Sequence, residues 1–277
     1  MRQDTVGRGA LDYRQCNYGL SRLAFRGPRH PLAGRYAAFV GGTETFGKFM
    51  QEPLPAIAER LSGVSCANFG CVNAGIGAFA DDAAVLAACH DAVLTVIEVT
   101  GAHNISNRFY KVHPRRNDRF LKATPLLREI YDEVDFADFT FTRHLLSVLC
   151  HISPTRFRLV RRELRRVWLD RMRDFIAELP APPVLLWYRD TTDVGGAGPD
   201  PLLVTDALMA EIAPLAAGIV RVDVTDRARA DGQFRMVFGP AERAAAAEML
   251  GPAIHETAAR ALVPILAQAA LRGRPAA

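Results

Sequence analysis

The sequence predicts a three-layer α/β fold, with helices on both faces of about five parallel strands. Short apolar runs end in loops rich in Gly, Asn or Thr, and helical spacing follows several of these loops. The run at 36–40 is apolar at successive positions rather than at alternate ones, as expected of a strand covered on both faces.

Taken in order, residues 1–34 are polar and rich in Arg and Gly, and read as an irregular lead-in. Tyr36 to Val40 is the first strand, closed by Gly41-Gly42, and Leu54, Ile57 and Leu61 mark a helix that ends near Gly63. Val64 to Val72 is a second strand. Asp81 or Asp82 caps a helix running to about His90, and Ala92 to Val99 (AVLTVIEV) is the clearest strand. Residues 105–180 break the rhythm and read as a helical insertion or cap, with a basic loop at Tyr110 to Phe120. Ser153-Pro154 opens a long helix whose apolar stripe is Phe157, Val160, Leu164, Trp168, Met172, Phe175 and Leu179. Val184 to Tyr188 is a fourth strand, 191–201 a loop, Leu202 to Leu215 a helix, and Ile219 to Val224 a fifth strand. An alanine-rich helical region breaks at Gly251-Pro252, and a final helix runs from about His255 to Leu271. The whole of 1–277 reads as one domain, with 35–104 and 181–277 as its sheet core.

Composition narrows the function classes. The 277 residues are 49% hydrophobic and 23% charged with a net charge of +4, which allows anionic ligands but is not by itself a nucleic-acid signature. Neither an RNP nor a zinc-finger pattern is present, so no nucleic-acid partner is expected. No apolar run approaches the ~20 residues needed to span a bilayer, and the first residues carry no apolar leader. The expectation is a cytoplasmic protein without a membrane partner. The five cysteines include no C-x-x-C pair, and the seven histidines no H-x-x-x-H spacing, so neither a disulfide framework nor a metal centre is expected. The glycine loop at 41–47 lacks the G-x-x-x-x-G-K-[ST] spacing of a nucleotide-phosphate loop, and no cofactor is expected.

Ligands of open α/β sheets gather at the carboxyl ends of the strands. The residues there are Gly41-Gly42-Thr43-Glu44-Thr45-Phe46-Gly47, then Asn68 to Gly75, then Gly101-Ala102-His103-Asn104, with His255 at the start of the final helix. These four blocks, in this order, resemble the SGNH (GDSL-type) hydrolase superfamily. Gly42 and Thr43 stand where that family has Asp and Ser, and Pro252 stands for the Asp three residues before His255. The whole chain also resembles a bacterial family of unknown function through GGTETFGKF at 41–49, NFGCVNAG at 68–75, SNRFYKVHPRRNDRF at 106–120 and FTRHLL at 141–146.

The first resemblance implies an SGNH or flavodoxin-like sheet and O-acyl ester chemistry on a carbohydrate or another small polar substrate. Thr43 would be the nucleophile and His255 the base. The oxyanion would rest on the Thr43 and Gly70 amides and the Asn104 side chain, with Gly42 at the substrate. From the residues themselves, Arg115, Arg116 and Arg119 in the basic loop form either a clamp for an anionic ligand or an Arg/Asp network tying the insertion to the sheet. The alternatives to the hydrolase are a catalytically degenerate relative that binds an anion, and sulfate or phosphate transfer from a nucleotide donor. Oligomeric state is not legible.

Overall fold

A computed structural model describes residues 11–190, 198–226, 228 and 232–272. Its central sheet contains β1 (Tyr36–Gly41), β2 (Ser65–Gly70), β3 (Leu94–Glu98), β6 (Val184–Asp190) and β7 (Gly218–Val224), all parallel, in the spatial order β2-β1-β3-β6-β7. Flanking helices make this a three-layer α/β/α fold. The strand order reverses between β1 and β3, which places a crevice at their carboxyl ends.

The apolar runs explain the two outer layers. Tyr36, Ala38 and Val40 of β1 face one side, where they join α4 (Ala83–Asp91), α7 (Pro154–Ala177) and α8 (Asp206–Ile212) in one core. Ala37 and Phe39 face the other side, packing with Leu54, Ile57 and Ala58 of α2 (Leu54–Ser62) and Ile254, Ala258 and Leu262 of the C-terminal helix (Pro252–Arg272). A strand apolar at every position is thus sequestered on both faces.

Caps set the helix starts. The Asp82 carboxylate accepts from the Ala84 and Val85 amides, and the Ser153 hydroxyl accepts from the Arg156 amide. Phe157, Val160, Leu164, Trp168, Met172 and Phe175 of α7 are all buried, and the Trp168 indole donates to the Thr100 carbonyl at 2.9 Å. The long helix is thereby fixed to the end of β3.

The segment 105–180 differs from a purely helical insertion. It opens with an antiparallel hairpin, β4 (Tyr110–Val112) and β5 (Phe120–Ala123), followed by α5 (Pro125–Ile130), α6 (Thr142–Ile152) and α7. Strands of three and four residues with a bulge between Lys111 and Val112 carry too little alternation to be read from sequence. The expected helix over Leu202 to Leu215 shortens to α8 and a 3-10 turn, Ala213–Leu215, because Thr205 caps it by accepting from the Leu208 amide. The last helix starts at Pro252, so His255 lies in its first turn, facing inward.

Residues 11–34 form no helix and only one isolated bridge, Cys16 with Phe25, yet they are anchored. Phe25 is fully buried, and the Arg26 guanidinium donates to the carbonyls of Gly47 and Met50 at 2.9 Å each. The lead-in so braces the loop after β1. Its first ten residues, and 191–197 of the expected loop after β6, lie outside the described residues. Among the described residues, no helix is long and apolar enough to cross a membrane.

Candidate functional site

The loop after β1 turns at once into α1 (Thr43–Phe46), with Gly42 at its start and Gly47, at φ 72°, ending it. The chain can be this tight only because side chains are absent where the segments touch. A Cβ on Gly41 would lie 2.2 Å from Thr45 Oγ1 and 2.5 Å from the Glu98 side chain. Those two residues are joined. Thr45 donates its amide and its hydroxyl to Glu98 Oε2 at 2.8 and 2.6 Å. Glu98, at the end of β3, is buried, and burial pushes its carboxyl up to about 7, against the Thr45 hydrogen bonds that favour the ionised form.

Thr43 is bound to Asn73 of the loop after β2. Its Oγ1 accepts from the Asn73 amide at 3.0 Å and donates to Asn73 Oδ1 at 3.3 Å. Asn73 has a φ of 61° and passes its side-chain amide on to Asp118 Oδ2 at 3.0 Å. His255 is fully buried elsewhere in the site, with Nε2 3.1 Å from Glu44 Oε2, while Glu44 Oε1 accepts from the Leu250 amide at 3.3 Å. No hydrogen bond joins Thr43 to His255. The fold therefore places the expected base against Glu44, the neighbour of the expected nucleophile, instead of against its hydroxyl.

Gly70 also has a different part from the one the resemblance implies. Its amide donates to Asn68 Oδ1 at 2.8 Å, and a Cβ there would lie 2.1 Å from the Phe46 amide nitrogen. The glycine is needed for the close seating of α1 on β2, and its N–H is engaged. Asn104 does reach the site, with Oδ1 accepting from the Thr142 hydroxyl at 2.8 Å.

These loops enclose a cavity of about 200 Å³ at the carboxyl ends of β1, β3 and β6, lined among others by Gly42, Thr43, Glu44, Glu98, Asn104 and Tyr188. Asn73 lines it too, and also lines a wider depression of about 630 Å³ on its other side. Arg22, Lys48, Arg115, Arg116 and Arg119 line that depression, and no carboxylate does.

The two readings of the basic loop divide between different residues. Asn117 and Asp118 make the ties, Asn117 by accepting from the Gly75 amide at 2.9 Å and Asp118 by accepting from Asn73. Burial raises the Asp118 carboxyl, and the Arg119 and Arg116 charges oppose the rise. Among the described residues, none of the five cations of the depression makes an ion pair, and Arg115, Arg116 and Arg119 are exposed. The described residues contain no group of three or more His, Cys, Asp or Glu that could hold a metal ion.

Sequence reading did not single out Glu98, Tyr188, Asn73, Asp118, Arg22 or Lys48. Glu98 left a signal, as the one charged residue in AVLTVIEV, because an unpaired buried carboxylate is costly and is kept only with partners. Arg22 left none, since only folding of the lead-in brings it beside the loop after β2.

The chain matches, over residues 1–270, the family described as Domain of unknown function (DUF6473). It belongs to that family. The DUF6473 match takes in the sheet core, the hairpin insertion and the braced lead-in alike, so the two depressions meeting at Asn73 lie wholly within it. No curated protein matches the chain.

Proposed function

We propose that the protein binds an anionic small molecule at the carboxyl end of its sheet, over the depression beside the Thr43 loop. The observation that carries this reading is the lining of that depression: five cations, no carboxylate, and no ion pair to any of the five among the described residues. Exposed arginines on a loop pinned by Asn117 and Asp118 suit a carboxylate, sulfate or phosphate group, which guanidinium forks engage with charge-assisted hydrogen bonds. Asn73 would carry contact from the anion to Thr43. Calorimetric titration with inorganic phosphate, sulfate and acetate at low ionic strength tests the reading. Saturable binding weakened by Arg115→Ala supports it, and absence of binding by all three anions overturns it.

A second reading has its own support. Thr43, Asn73 and Asn104 converge on the smaller cavity at the switch point of the sheet, as an SGNH-like hydrolase or acyltransferase would require. There Thr43 Oγ1 would attack the acyl carbon as its proton passes to a base, and the base would return that proton to the alcohol oxygen as the ester C–O bond breaks. With His255 Nε2 held on Glu44, that proton transfer needs the Glu44–His255 pair to rearrange when substrate binds. Turnover of an activated acetyl ester, lost in Thr43→Ala, supports this reading. Turnover unchanged by Thr43→Ala removes it.

A further inference from the structure

The arginine depression is rich in hydrogen-bond donors, and most of its side-chain acceptors are spent. His113, at the start of the basic loop, lines it together with Arg115, Arg116 and Arg119. The amides of Arg115 and Arg116 donate to His113 Nδ1 at 3.2 and 3.1 Å. A ring nitrogen that accepts carries no hydrogen, so the ring hydrogen sits on Nε2, which has no partner among the described residues. The backbone at the ring is held as well. The His113 amide donates to the Arg119 carbonyl, and the His113 carbonyl accepts from Asn117 Nδ2, both at 2.9 Å. Elsewhere in the lining, Asn73 Oδ1 accepts from the Thr43 hydroxyl, and Gln15 is an exposed amide that can present either end. No carboxylate is present.

Hydrogen-bond roles decide what such a lining selects. Arginine, lysine and the His113 Nε2–H only donate. An oxyanion whose oxygens all accept suits these donors throughout. One that keeps an O–H brings a donor of its own, and among donors that hydrogen lacks an acceptor. Five cations also suit two negative charges better than the single charge of a carboxylate. We propose that the depression selects a dianionic oxyanion with no hydroxyl hydrogen, a sulfate ion or the fully ionised phosphate of a monoester, and that His113 Nε2–H is one of its donors. This rests on the anion-binding reading and specifies what that site takes.

At about pH 8, sulfate and hydrogen phosphate each carry about two negative charges and differ by one O–H. Calorimetric titration of the full chain at constant low ionic strength should show sulfate and methyl phosphate binding about fivefold tighter than hydrogen phosphate. Sulfate ahead of methyl phosphate assigns the ion, and the reverse order assigns the ester. His113→Asn places Oδ1 where Nδ1 stood, so it can still accept from the Arg115 and Arg116 amides, but it has no Nε2–H. Its Tm should match the parent's while its sulfate affinity falls about fivefold. Gln15→Glu, at an exposed position, adds an acceptor beside the cations. Its charge weakens both dianions, and the preference for sulfate over hydrogen phosphate shrinks or reverses. Equal affinity of the parent for sulfate and hydrogen phosphate overturns the proposal. So does unchanged sulfate affinity in His113→Asn, or an unchanged preference in Gln15→Glu, which decides the matter if His113→Asn fails to fold. Each of these outcomes leaves anion binding itself standing, whereas absence of binding by every anion removes both readings.

Discussion

The imidazole of His255 and the carboxylate of Glu44 meet at 3.1 Å across 211 positions of sequence, and this contact pins the C-terminal helix to the first turn after β1. His255 is fully buried, and its other ring nitrogen has no partner. Replacing His255 with alanine removes a buried ring and leaves Glu44 without its ring-nitrogen partner. Urea unfolding of His255→Ala should show a loss of about 2–4 kcal/mol. A loss under ~1 kcal/mol would mean that the pair contributes little to holding the helix in place.

Glu98 and His103 make stability depend on pH in opposite senses. Burial, with the Glu44 charge adding to it and the Thr45 hydrogen bonds opposing, pushes the Glu98 carboxyl up to about 7. Its unfolded value is ~4.3. Between these limits the folded protein holds a proton that the unfolded chain has lost, so stability falls as pH rises, and the effect levels off above about 7. Burial, helped by Arg143, pushes the His103 imidazole down to about 3. Below its unfolded value of ~6.5 the unfolded chain holds the extra proton, so this contribution is lost as pH falls. In Glu98→Gln the Glu98 slope is gone while the histidine slope remains. The Tm difference between the variant and the parent should therefore move in the variant's favour from about pH 5 to 7 and stay constant above about 8, where Glu98 is ionised in both states. A difference that stays flat between pH 5 and 7 would show that Glu98 titrates as an ordinary carboxyl.

Gly70 and Gly42 should respond differently to alanine. At Gly70 the added Cβ meets the Phe46 backbone nitrogen at 2.1 Å, and backbone cannot step aside cheaply. Gly70→Ala should cost about 3 kcal/mol or fail to fold. At Gly42 the nearest atom is the Ala74 carbonyl oxygen at 3.0 Å, so Gly42→Ala should be the milder of the two. Thermal unfolding of both proteins checks the order, and the reverse order would contradict the seating of α1 on β2.

Arg115→Ala and Arg116→Ala remove exposed side chains that carry no ion pair, so each should leave stability within ~0.5 kcal/mol. Each should nevertheless weaken phosphate binding several-fold at low salt. The loss should shrink when sodium chloride is raised to ~1 M, where the screening length falls to about 3 Å. A loss independent of salt would point to a change in loop shape in place of a lost charge.

The sheet was legible because its signals are local. Five largely apolar runs correspond to β1, β2, β3, β6 and β7, and Ser153-Pro154 marks the start of α7 correctly. The hairpin of β4 and β5 escaped, since three- and four-residue strands leave no period to detect. The candidate site was legible only in part. Thr43 and Asn104 do line one cavity, and the three arginines do line one depression. What sequence could not supply was pairing. That His255 turns to Glu44, that Gly70 spends its amide on Asn68, and that Arg22 joins the basic loop are all decided by long-range packing. Spacing along the chain carries no trace of such contacts.

The bracing of the Thr43 loop has a consequence for how the molecule is made. Arg26 from the lead-in holds its far end, Asn73 holds Thr43, and His255 and Leu250 hold Glu44. These clamps emerge from the ribosome at widely separated times. A nascent chain can pair β1 with β2 and β3 while the face that receives Ile254, Ala258 and Leu262 is still bare. During synthesis, then, the apolar residues of α2 and the underside of the sheet stay uncovered, and the crevice acquires its final shape only when the helix beginning at Pro252 docks.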